Sequence, residues 1–242
     1  YRDRDSLAID VRFPVANLEA LLARLHYVED HTSQGSLAVV IWTTTPWTLP
    51  ANQAVAVNPG LDYAVVQVDT DHGQERLLVA KPLLKDSLVR WQIECYRVIA
   101  CGPGSALEGL MLHHPFYDRE VPVILDDHVT TEAGAGAVHI APAHGQEDYA
   151  VGSRYDLKVD NPVGPDGRFL PDTPLFASLH VFAANGRVID TLKAQGMLLR
   201  ITRINHSYPH CWRHKTPVIF RTTPQWFISM EQHGLRARAL EE

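Results

Sequence analysis

The sequence predicts a mainly β protein with flanking helices, an α+β fold arranged around a closed or strongly curved sheet. Six short runs are rich in Val and Ile and are separated by Gly, Pro, Asn and Asp, as in strands joined by turns. Helical spacing occurs in only four places, so strands dominate the pattern. The predicted strands span 37–42, 62–69, 76–80, 93–100, 121–125 and 135–140.

The four predicted helices flank this sheet and span 18–25, 82–89, 146–155 and 181–195. The second begins with Pro82, and Pro is favoured in the first turn of a helix. The fourth is followed by Gly196, and Gly is favoured just past a helix C-terminus. Beyond residues 198–204 the sequence becomes basic and aromatic. We interpret this last part as a connection that leads out of the domain.

Composition places the chain among ordinary globular proteins. Of its 242 residues, 45% are hydrophobic and 21% are charged, and no apolar stretch approaches the roughly 18 residues that cross a bilayer. Three cysteines without a C-x-x-C pattern argue against a disulfide framework and fit a reducing compartment. We therefore expect a cytoplasmic protein without membrane contact. Both ends read as cuts in a longer chain.

Charge is distributed unevenly along the sequence. The net charge is −6, which is unfavourable for a nucleic-acid binder. From Arg187 onward, however, nine basic residues stand against four acidic ones, whereas residues 1–186 carry a charge of −11. Any contact that the acidic part makes with a nucleic acid must therefore be local.

A threonine-rich segment follows the first predicted strand. Thr43, Thr44 and Thr45 are succeeded by Pro46 and Pro50, which exclude both helix interior and ladder pairing. Hydroxyls and free backbone N–H groups beside two tryptophans form a half-polar, half-apolar pocket that could hold a water or a ribose. Thr is also a common strand residue and Pro a common strand terminator, so a purely structural role stays open.

A glycine-rich turn leads into the last predicted strand. His139 lies on this strand, and Asp148 follows in the first turn of the next helix. The two side chains can converge on one cleft across a single turn. The structural alternatives are a buried core histidine and an acid that only complements the helix dipole.

Four metal-capable residues occur close together near the C-terminus, but their order matches no common zinc spacing. They are His206, His210, Cys211 and His214. The sequence leaves open whether they bind a metal.

Four segments together resemble one family. They are residues 42–52 (WTTTPWTLPAN), 136–149 (GAVHIAPAHGQEDY), 161–164 (NPVG) and 206–217 (HSYPHCWRHKTP). All four resemble isoleucyl-tRNA synthetases and occur in the order typical of that family, so the resemblance extends from residue 37 to the C-terminus. It implies the inserted editing domain (connective peptide 1) of a bacterial-type enzyme, with a β-barrel-like fold. Signature motifs of amino-acid activation, H-I-G-H and K-M-S-K-S, do not occur.

Two details separate this resemblance from the related leucyl and valyl enzymes. Their threonine motif typically reads T-T-R-P followed by an acid, whereas this chain has Thr45 and Trp47 at those positions. The chain also departs from its own family. Ala135 stands where Thr is usual, and Glu147 stands where the first of two aspartates is usual. The second aspartate, Asp148, is kept.

The resemblance implies roles for individual residues. Asp148 pairs with the substrate ammonium group, and His139 limits the size of the side chain or contacts the ribose or water. The implied catalytic residues are Thr43, Thr44, Thr45, His139 and Asp148. The implied substrate-binding residues are Trp42, Trp47, Thr48, Asn52 and Ala141.

The resemblance also implies domain boundaries and partners. Residues 1–9 link to a catalytic domain outside this chain, 10–200 form the editing domain, and 201–242 return toward the catalytic domain. The expected reaction is hydrolysis of mischarged Val-tRNA(Ile) by a monomer without a metal or other cofactor, whereas the parent enzyme uses ATP and Mg²⁺. The alternatives are a valyl- or leucyl-type editing domain and a non-catalytic module that binds the tRNA acceptor end.

Overall fold

The computed structural model describes residues 1–28, 35–70 and 73–241. Strands dominate, and the helices lie at the periphery. The described strands are β1 (Arg2–Pro14), β2 (His26–Tyr27), β3 (Leu37–Thr43), β4 (Ala54–Val57), β5 (Asp62–Thr70), β6 (Gly73–Ala80), β7 (Tyr96–Pro103), β8 (Met111–His113), β9 (Glu120–Leu125), β10 (Ala137–Ile140) and β11 (Leu198–Tyr208). The α-helices are α1 (Leu18–Leu22), α2 (Leu84–Trp91), α3 (Gln146–Arg154), α4 (Val181–Ala194) and α5 (Leu235–Glu241).

The strands form two sheets. The larger has the order β11-β1-β3-β6-β5-β7-β2 and is antiparallel except for the β3–β6 pair. The smaller has the order β10-β4-β9-β8, with β4 parallel to β9. The strand β3 is apolar along almost its whole length and buried on both faces, as expected for a strand inside a covered sheet.

One hydrophobic core joins the two sheets. Ile41 of β3, Val55 of β4 and Val123 of β9 belong to the same buried cluster. The helix α4 packs against it through buried residues at helical spacing, including Val188 and Leu192. This packing brings the end of β3 close to β10, where the sequence places its candidate site residues. No helix among the described residues combines the length and apolar character that a membrane crossing requires.

The mainly β architecture with flanking helices is confirmed, and of the two expected forms of the sheet, closed or strongly curved, the closed form is not found among the described strands. Among the described strands, β11 and β2 form opposite edges of the larger sheet and do not pair with each other, so no closed barrel exists. Local patterns of apolar residues predict strands, whereas closure depends on which distant edges pair. The domain therefore consists of two open sheets around a common core.

Predicted and observed elements overlap at all six strands and all four helices. The additional strands are β1, β2, β4, β8 and β11. Among these, β1 and β11 pair over nearly their full lengths, from Arg2 opposite Tyr208 to Val11 opposite Leu198, with an irregularity between Asp10 and Val11. The boundaries expected at residues 10 and 200 both fall inside this pair, and as domain boundaries they stay predictions.

Candidate functional site

The threonine segment forms a sharp connection between β3 and a short 3-10 helix, Pro46–Ala51. The β3 strand ends at Thr43, whose hydroxyl oxygen accepts a hydrogen bond from the Thr45 backbone N–H at 3.1 Å. The hydroxyls of Thr43 and Thr45 lie 3.3 Å apart. Pro46 begins the 3-10 helix, where its missing N–H costs nothing. The threonine side chains therefore shape the connection as well as presenting hydroxyl groups.

A cavity of about 320 Å³ opens beside this connection. Trp42, Thr43 and Thr44 line one side, and residues between His128 and Val138 line the other. The cavity therefore combines an indole, three threonines, a histidine and a glutamate with small, apolar residues. Thr45, Thr48, His139 and Asp148 do not line it, although Thr45 and His139 directly follow two lining residues, Thr44 and Val138, in the sequence.

The glycine-rich turn that forms part of the cavity wall is held at its carbonyl groups. Arg90 donates to the Gly134 carbonyl at 2.9 Å, and the Tyr63 hydroxyl donates to the Gly136 carbonyl at 2.5 Å. Both glycines have positive φ angles. A side chain at Gly136 would also collide with Ala80, because its Cβ would lie 2.1 Å from the Ala80 Cβ. The turn is thus anchored to the larger sheet and its neighbouring helix.

His139 and Thr48 form a buried pair next to the cavity. The His139 Nε2 lies 2.9 Å from the Thr48 Oγ1, and the Thr48 hydroxyl donates to the Thr45 carbonyl at 2.8 Å. A hydroxyl has one proton, which is used in the second bond, so it must accept from His139 Nε2–H. The network therefore assigns the Nε2-protonated tautomer, which leaves Nδ1 as an acceptor.

The His139 ring is neutral and incompletely satisfied. Burial and, to a lesser extent, the nearby His144 lower its pKa to about 4. Its Nδ1 is buried without a hydrogen-bond partner among the described residues. His139 is therefore not a core histidine with hydrogen bonds at both ring nitrogens. The free acceptor can receive a hydrogen bond from a substrate group or a water.

Asp148 lies in the first turn of α3, where it is half-buried. One carboxylate oxygen accepts from the Ala141 backbone N–H at 2.8 Å. Burial raises the pKa of this carboxyl group, and the Ala141 hydrogen bond partly opposes that shift. His128 of the cavity interacts electrostatically with it. Gly145, in contact with Asp148, lines a second cleft of about 770 Å³.

The remaining predicted binding residues, apart from Trp42, contact the segments that form the site. Trp47 is buried, and its ring meets the His144 ring edge-on at 5.0 Å. Asn52 is fully buried, and its side-chain amide donates to the Ala54 carbonyl at 2.7 Å. Ala141 contributes its backbone N–H to Asp148. None of these three residues lines the 320 Å³ cavity, whereas Trp42 does.

Three polar residues at the site were not singled out from the sequence. Asp126 and His128 form a close pair with 2.6 Å between oxygen and Nδ1, and His144 lines the larger cleft. The sequence did contain a signal for Asp126 and His128, because polar residues in the loop directly after a strand often form functional sites. His144 donates through Nδ1 to the Phe220 carbonyl at 2.9 Å, and burial lowers its pKa.

The four metal-capable residues near the C-terminus do not converge in the structure. Cys211 and His214 lie side by side, with 3.5 Å between the sulfur and Nδ1. His206 instead contacts the Ser6 hydroxyl, and His210 binds a backbone carbonyl two residues earlier. Within residues 1–28, 35–70 and 73–241, no group of three or more potential ligands is close enough to hold a metal ion.

Comparisons with known proteins agree with this architecture. The profile of the family described as leucyl-tRNA synthetase, editing domain, matches residues 103–204. Editing domains of cytosolic leucyl-tRNA synthetases from P. falciparum and P. knowlesi superpose with a TM-score of 0.61 each. Their sequence identities are 9% and 10%, and they cover 83% and 85% of this chain and 99% and 98% of their own. At such identities the likeness shows the fold alone.

Sequence relatives specify the type. Isoleucine–tRNA ligases of Methylococcus capsulatus, Nitrosococcus oceani and Aeromonas hydrophila are 64%, 57% and 56% identical over all of this chain. The chain spans about a quarter of the length of these curated relatives, 26%, 26% and 25%.

The fold and the matched family together define an editing domain of an aminoacyl-tRNA synthetase. More particularly, the chain is the editing domain of the isoleucine–tRNA ligase type, because it is 56–64% identical to these ligases over its full length. The alternative of a leucyl- or valyl-type domain is therefore set aside.

Proposed function

We propose that this domain hydrolyses the ester bond of mischarged Val-tRNA(Ile). A pocket built for isoleucine excludes valine poorly, because one methylene changes binding by only about 1–3 kcal/mol, and isoleucyl enzymes are a standard illustration of this limit. A second site that admits valine and rejects isoleucine corrects the error. The ester is already activated, so such a site has mainly to orient the substrate and a water.

The observation that carries the proposal is the position of the Asp148 carboxylate. It lies beside Gly145 of the larger cleft and interacts electrostatically with His128 of the cavity lined by threonines, and its only long-range hydrogen bond among the described residues comes from the Ala141 backbone N–H. Burial raises its pKa, which means that the charged form lacks compensation. The α-ammonium group of an aminoacyl ester supplies this compensation through a charge-assisted hydrogen bond.

The Thr48–His139 pair suits a size limit. Both side chains are buried, and the hydroxyl is held at both ends by hydrogen bonds of 2.8 and 2.9 Å. A side-chain pair fixed in this way cannot move aside for an additional methylene without breaking hydrogen bonds. We assign the exclusion of isoleucine to this pair. The free Nδ1 of His139 remains available to a water or a ribose hydroxyl.

The hydroxyl-bearing connection suits the ester and the ribose. Thr43 and Thr44 line the cavity, and Thr45 sits directly behind them. Their hydroxyl and backbone N–H groups can bind the carbonyl oxygen, the terminal adenosine or the attacking water. Trp42 forms the apolar wall. This chemistry needs no metal or other cofactor, and the ATP- and Mg²⁺-dependent step belongs to the parent enzyme.

The larger cleft is the entrance through which the acceptor end reaches Asp148. Its rim carries exposed or half-exposed aromatic side chains, Tyr149, Phe220 and Phe227, together with Arg221. Such groups stack on unpaired bases. The proposed partners are the valine-carrying end of tRNA(Ile), which this rim would bind, and the rest of the synthetase chain. We propose that the domain acts as a monomer in the cytoplasm.

The test is ester loss from Val-tRNA(Ile) and Ile-tRNA(Ile) presented to the purified chain. We expect hydrolysis of the valyl ester and sparing of the isoleucyl ester. The Asp148→Ala variant should lose the activity, whereas Glu147→Ala, a change to the exposed acid one residue earlier, should keep it. Binding of the acceptor end without hydrolysis would instead make the domain a non-catalytic binding module.

A further inference from the structure

A second histidine lies at the cavity and has no role in the proposal above. His128 follows β9 and lines the cavity together with Thr43 and Thr44. Its side chain is 27% exposed, and its Nε2 is buried without a hydrogen-bond partner among the described residues. The nitrogen is therefore free for a ligand inside the cavity or for a water.

A carboxylate fixes the orientation of this ring. The His128 Nδ1 lies 2.6 Å from the Asp126 carboxylate, which also accepts from the His128 backbone N–H at 2.9 Å. The other carboxylate oxygen pairs with Arg154. Because the carboxylate holds the proton on Nδ1, the lone pair of the ring resides on Nε2. The carboxylate also offsets the charge that a second proton brings to the ring.

The other two histidines at the site are less suited to accept a proton. His139 uses Nε2 as a donor to Thr48, and burial and His144 lower its pKa to about 4. His144 borders the larger cleft, and burial and the nearby Arg221 lower its pKa as well. Neither ring contacts a carboxylate among its hydrogen-bond partners in the described part of the chain.

Two neighbours place His128 close to the expected ester. It shares the cavity with the threonines, and it interacts electrostatically with Asp148. In an aminoacyl ester, one carbon atom separates the ammonium group from the carbonyl carbon. We therefore expect a group that lines the cavity and interacts with the ammonium-binding carboxylate to lie near the carbonyl. Glu132 lines the same cavity, so Asp126, Arg154, Asp148 and Glu132 are the charged residues around this ring.

We infer that His128, oriented by Asp126, is the group that takes the proton from the attacking water. The water oxygen forms a bond to the ester carbonyl carbon while its proton moves to His128 Nε2. The bond between that carbon and the ribose oxygen then breaks, and the proton passes from Nε2 to the ribose oxygen. Free valine and the tRNA hydroxyl leave, and the neutral histidine is restored. This inference rests on the proposed hydrolytic function.

The experiment compares single-turnover hydrolysis of Val-tRNA(Ile) by the original chain and by His128→Ala. A general base typically contributes about 100-fold or more, so we expect a loss of at least that size in the rate at saturating enzyme. The enzyme concentration at half-maximal rate should change little. The matched control is His113→Ala, which removes a histidine from an exposed ion pair with Glu120 at 3.8 Å, outside the cavity.

Two further variants separate proton transfer from structure. His128→Gln keeps a polar side chain but has no lone-pair nitrogen, and it should be as slow as His128→Ala. Added imidazole should restore part of the rate of His128→Ala and leave the His113→Ala rate unchanged. Asp126→Asn should slow the reaction less than loss of the ring does.

The outcomes distinguish this inference from the proposed function. If the original chain does not hydrolyse Val-tRNA(Ile), the proposed function itself is wrong. If the original chain is active and a folded His128→Gln variant stays within about twofold of His113→Ala, only the role of His128 is overturned. A change confined to the half-saturating concentration would likewise overturn it, because the ring would then only bind substrate.

Discussion

Two equally buried histidines, His139 and His114, differ in whether both ring nitrogens have hydrogen-bond partners. His139 and His114 are 6% and 5% exposed, and burial is the main cause that lowers their pKa values to about 4 and about 3. In His114, Nε2 donates to the Leu49 carbonyl at 3.1 Å, and Nδ1 accepts from two backbone N–H groups of residues 116–117. In His139, Nδ1 has no partner among the described residues.

The comparison shows which property indicates function. Burial and a lowered pKa are common to both rings, so neither identifies a site. An unpaired buried nitrogen costs stability, so it requires an explanation such as a bound water or ligand. His114 is therefore a structural histidine, whose ring joins the connection after β8 to the 3-10 helix. His139 carries unused hydrogen-bonding capacity beside the cavity.

The largest effect, a loss of hydrolysis rate, is expected from a change at Asp148. Asp148→Asn removes the charge that pairs with the ammonium group, which costs about 2–5 kcal/mol, or a rate loss of roughly 30-fold to several thousand-fold. Since burial raises the pKa of this carboxyl group, its ionised form destabilises the fold at neutral pH. The variant should thus be more stable than the original chain at pH 7.

The pH dependence of stability provides a control for the predicted gain in Asp148→Asn. Below about pH 3 the original carboxyl group is protonated in both the folded and the unfolded chain, so the stability gain of Asp148→Asn should vanish there. Glu147→Gln, at the exposed neighbouring acid, should change neither activity nor this pH dependence. An active Asp148→Asn variant would reduce Asp148 to an acid that only begins a helix.

The second effect is on the free energy of unfolding. His114→Ala removes a ring with both nitrogens bonded and should cost about 3–4 kcal/mol. His139→Ala should cost only about 1–2 kcal/mol, because one of its nitrogens is already unsatisfied. Urea unfolding monitored by circular dichroism measures both values, provided that the slopes are equal. Equal costs for the two variants would show that the unpaired nitrogen has no energetic consequence.

The pH dependence of stability sharpens the same contrast. Both rings are neutral in the folded chain and have pKa values of about 3 and about 4, compared with 6.5 for an unperturbed histidine. Between about pH 4 and 6.5 the unfolded chain therefore binds more protons, and stability is lost as the pH falls through this window. His114→Gln should therefore reduce the pH dependence of the free energy of unfolding more than His139→Gln does. A larger flattening by His139→Gln would contradict these pKa values.

The smallest effect is expected in tRNA binding. Residues 1–186 carry a charge of −11, and only the part from Arg187 onward is basic. Binding by this chain should be weak and should decrease as salt rises. A filter-binding series at several salt concentrations, run beside a complete isoleucine–tRNA ligase, measures it. Equal affinities of the two proteins would show that this domain carries its own tRNA platform.

The parts of the fold that sequence reasoning predicted are those encoded by local patterns. The buried strand β3 is a continuous apolar run, and α4 shows apolar residues at helical spacing. By contrast, β1 begins with alternating charged residues, and its partner β11 lies about 200 residues further along. A strand that is specified by so distant a partner leaves little local signal.

In the candidate site, too, residues within local motifs were predicted, whereas contacts that depend on the fold were not. Thr43, Thr44, His139 and Asp148 were predicted from motifs, and their catalytic roles stay predictions. The Thr48–His139 contact joins residues 91 positions apart, and only the bond from Thr48 to Thr45 decides the tautomer. The pairing of Asp126 with His128 was missed, because a short acidic stretch after a strand reads equally well as a turn.

The most direct test of the role of His139 is the ratio of hydrolysis rates for Val-tRNA(Ile) and Ile-tRNA(Ile), measured in the original chain and in His139→Ala. If the Thr48–His139 pair sets the size limit, the variant should begin to hydrolyse Ile-tRNA(Ile), and the ratio should fall toward one. An equal loss for both substrates would move His139 from the size limit to the catalytic machinery. An unchanged ratio at unchanged rates would contradict the comparison itself, because His139 would then be a core histidine like His114.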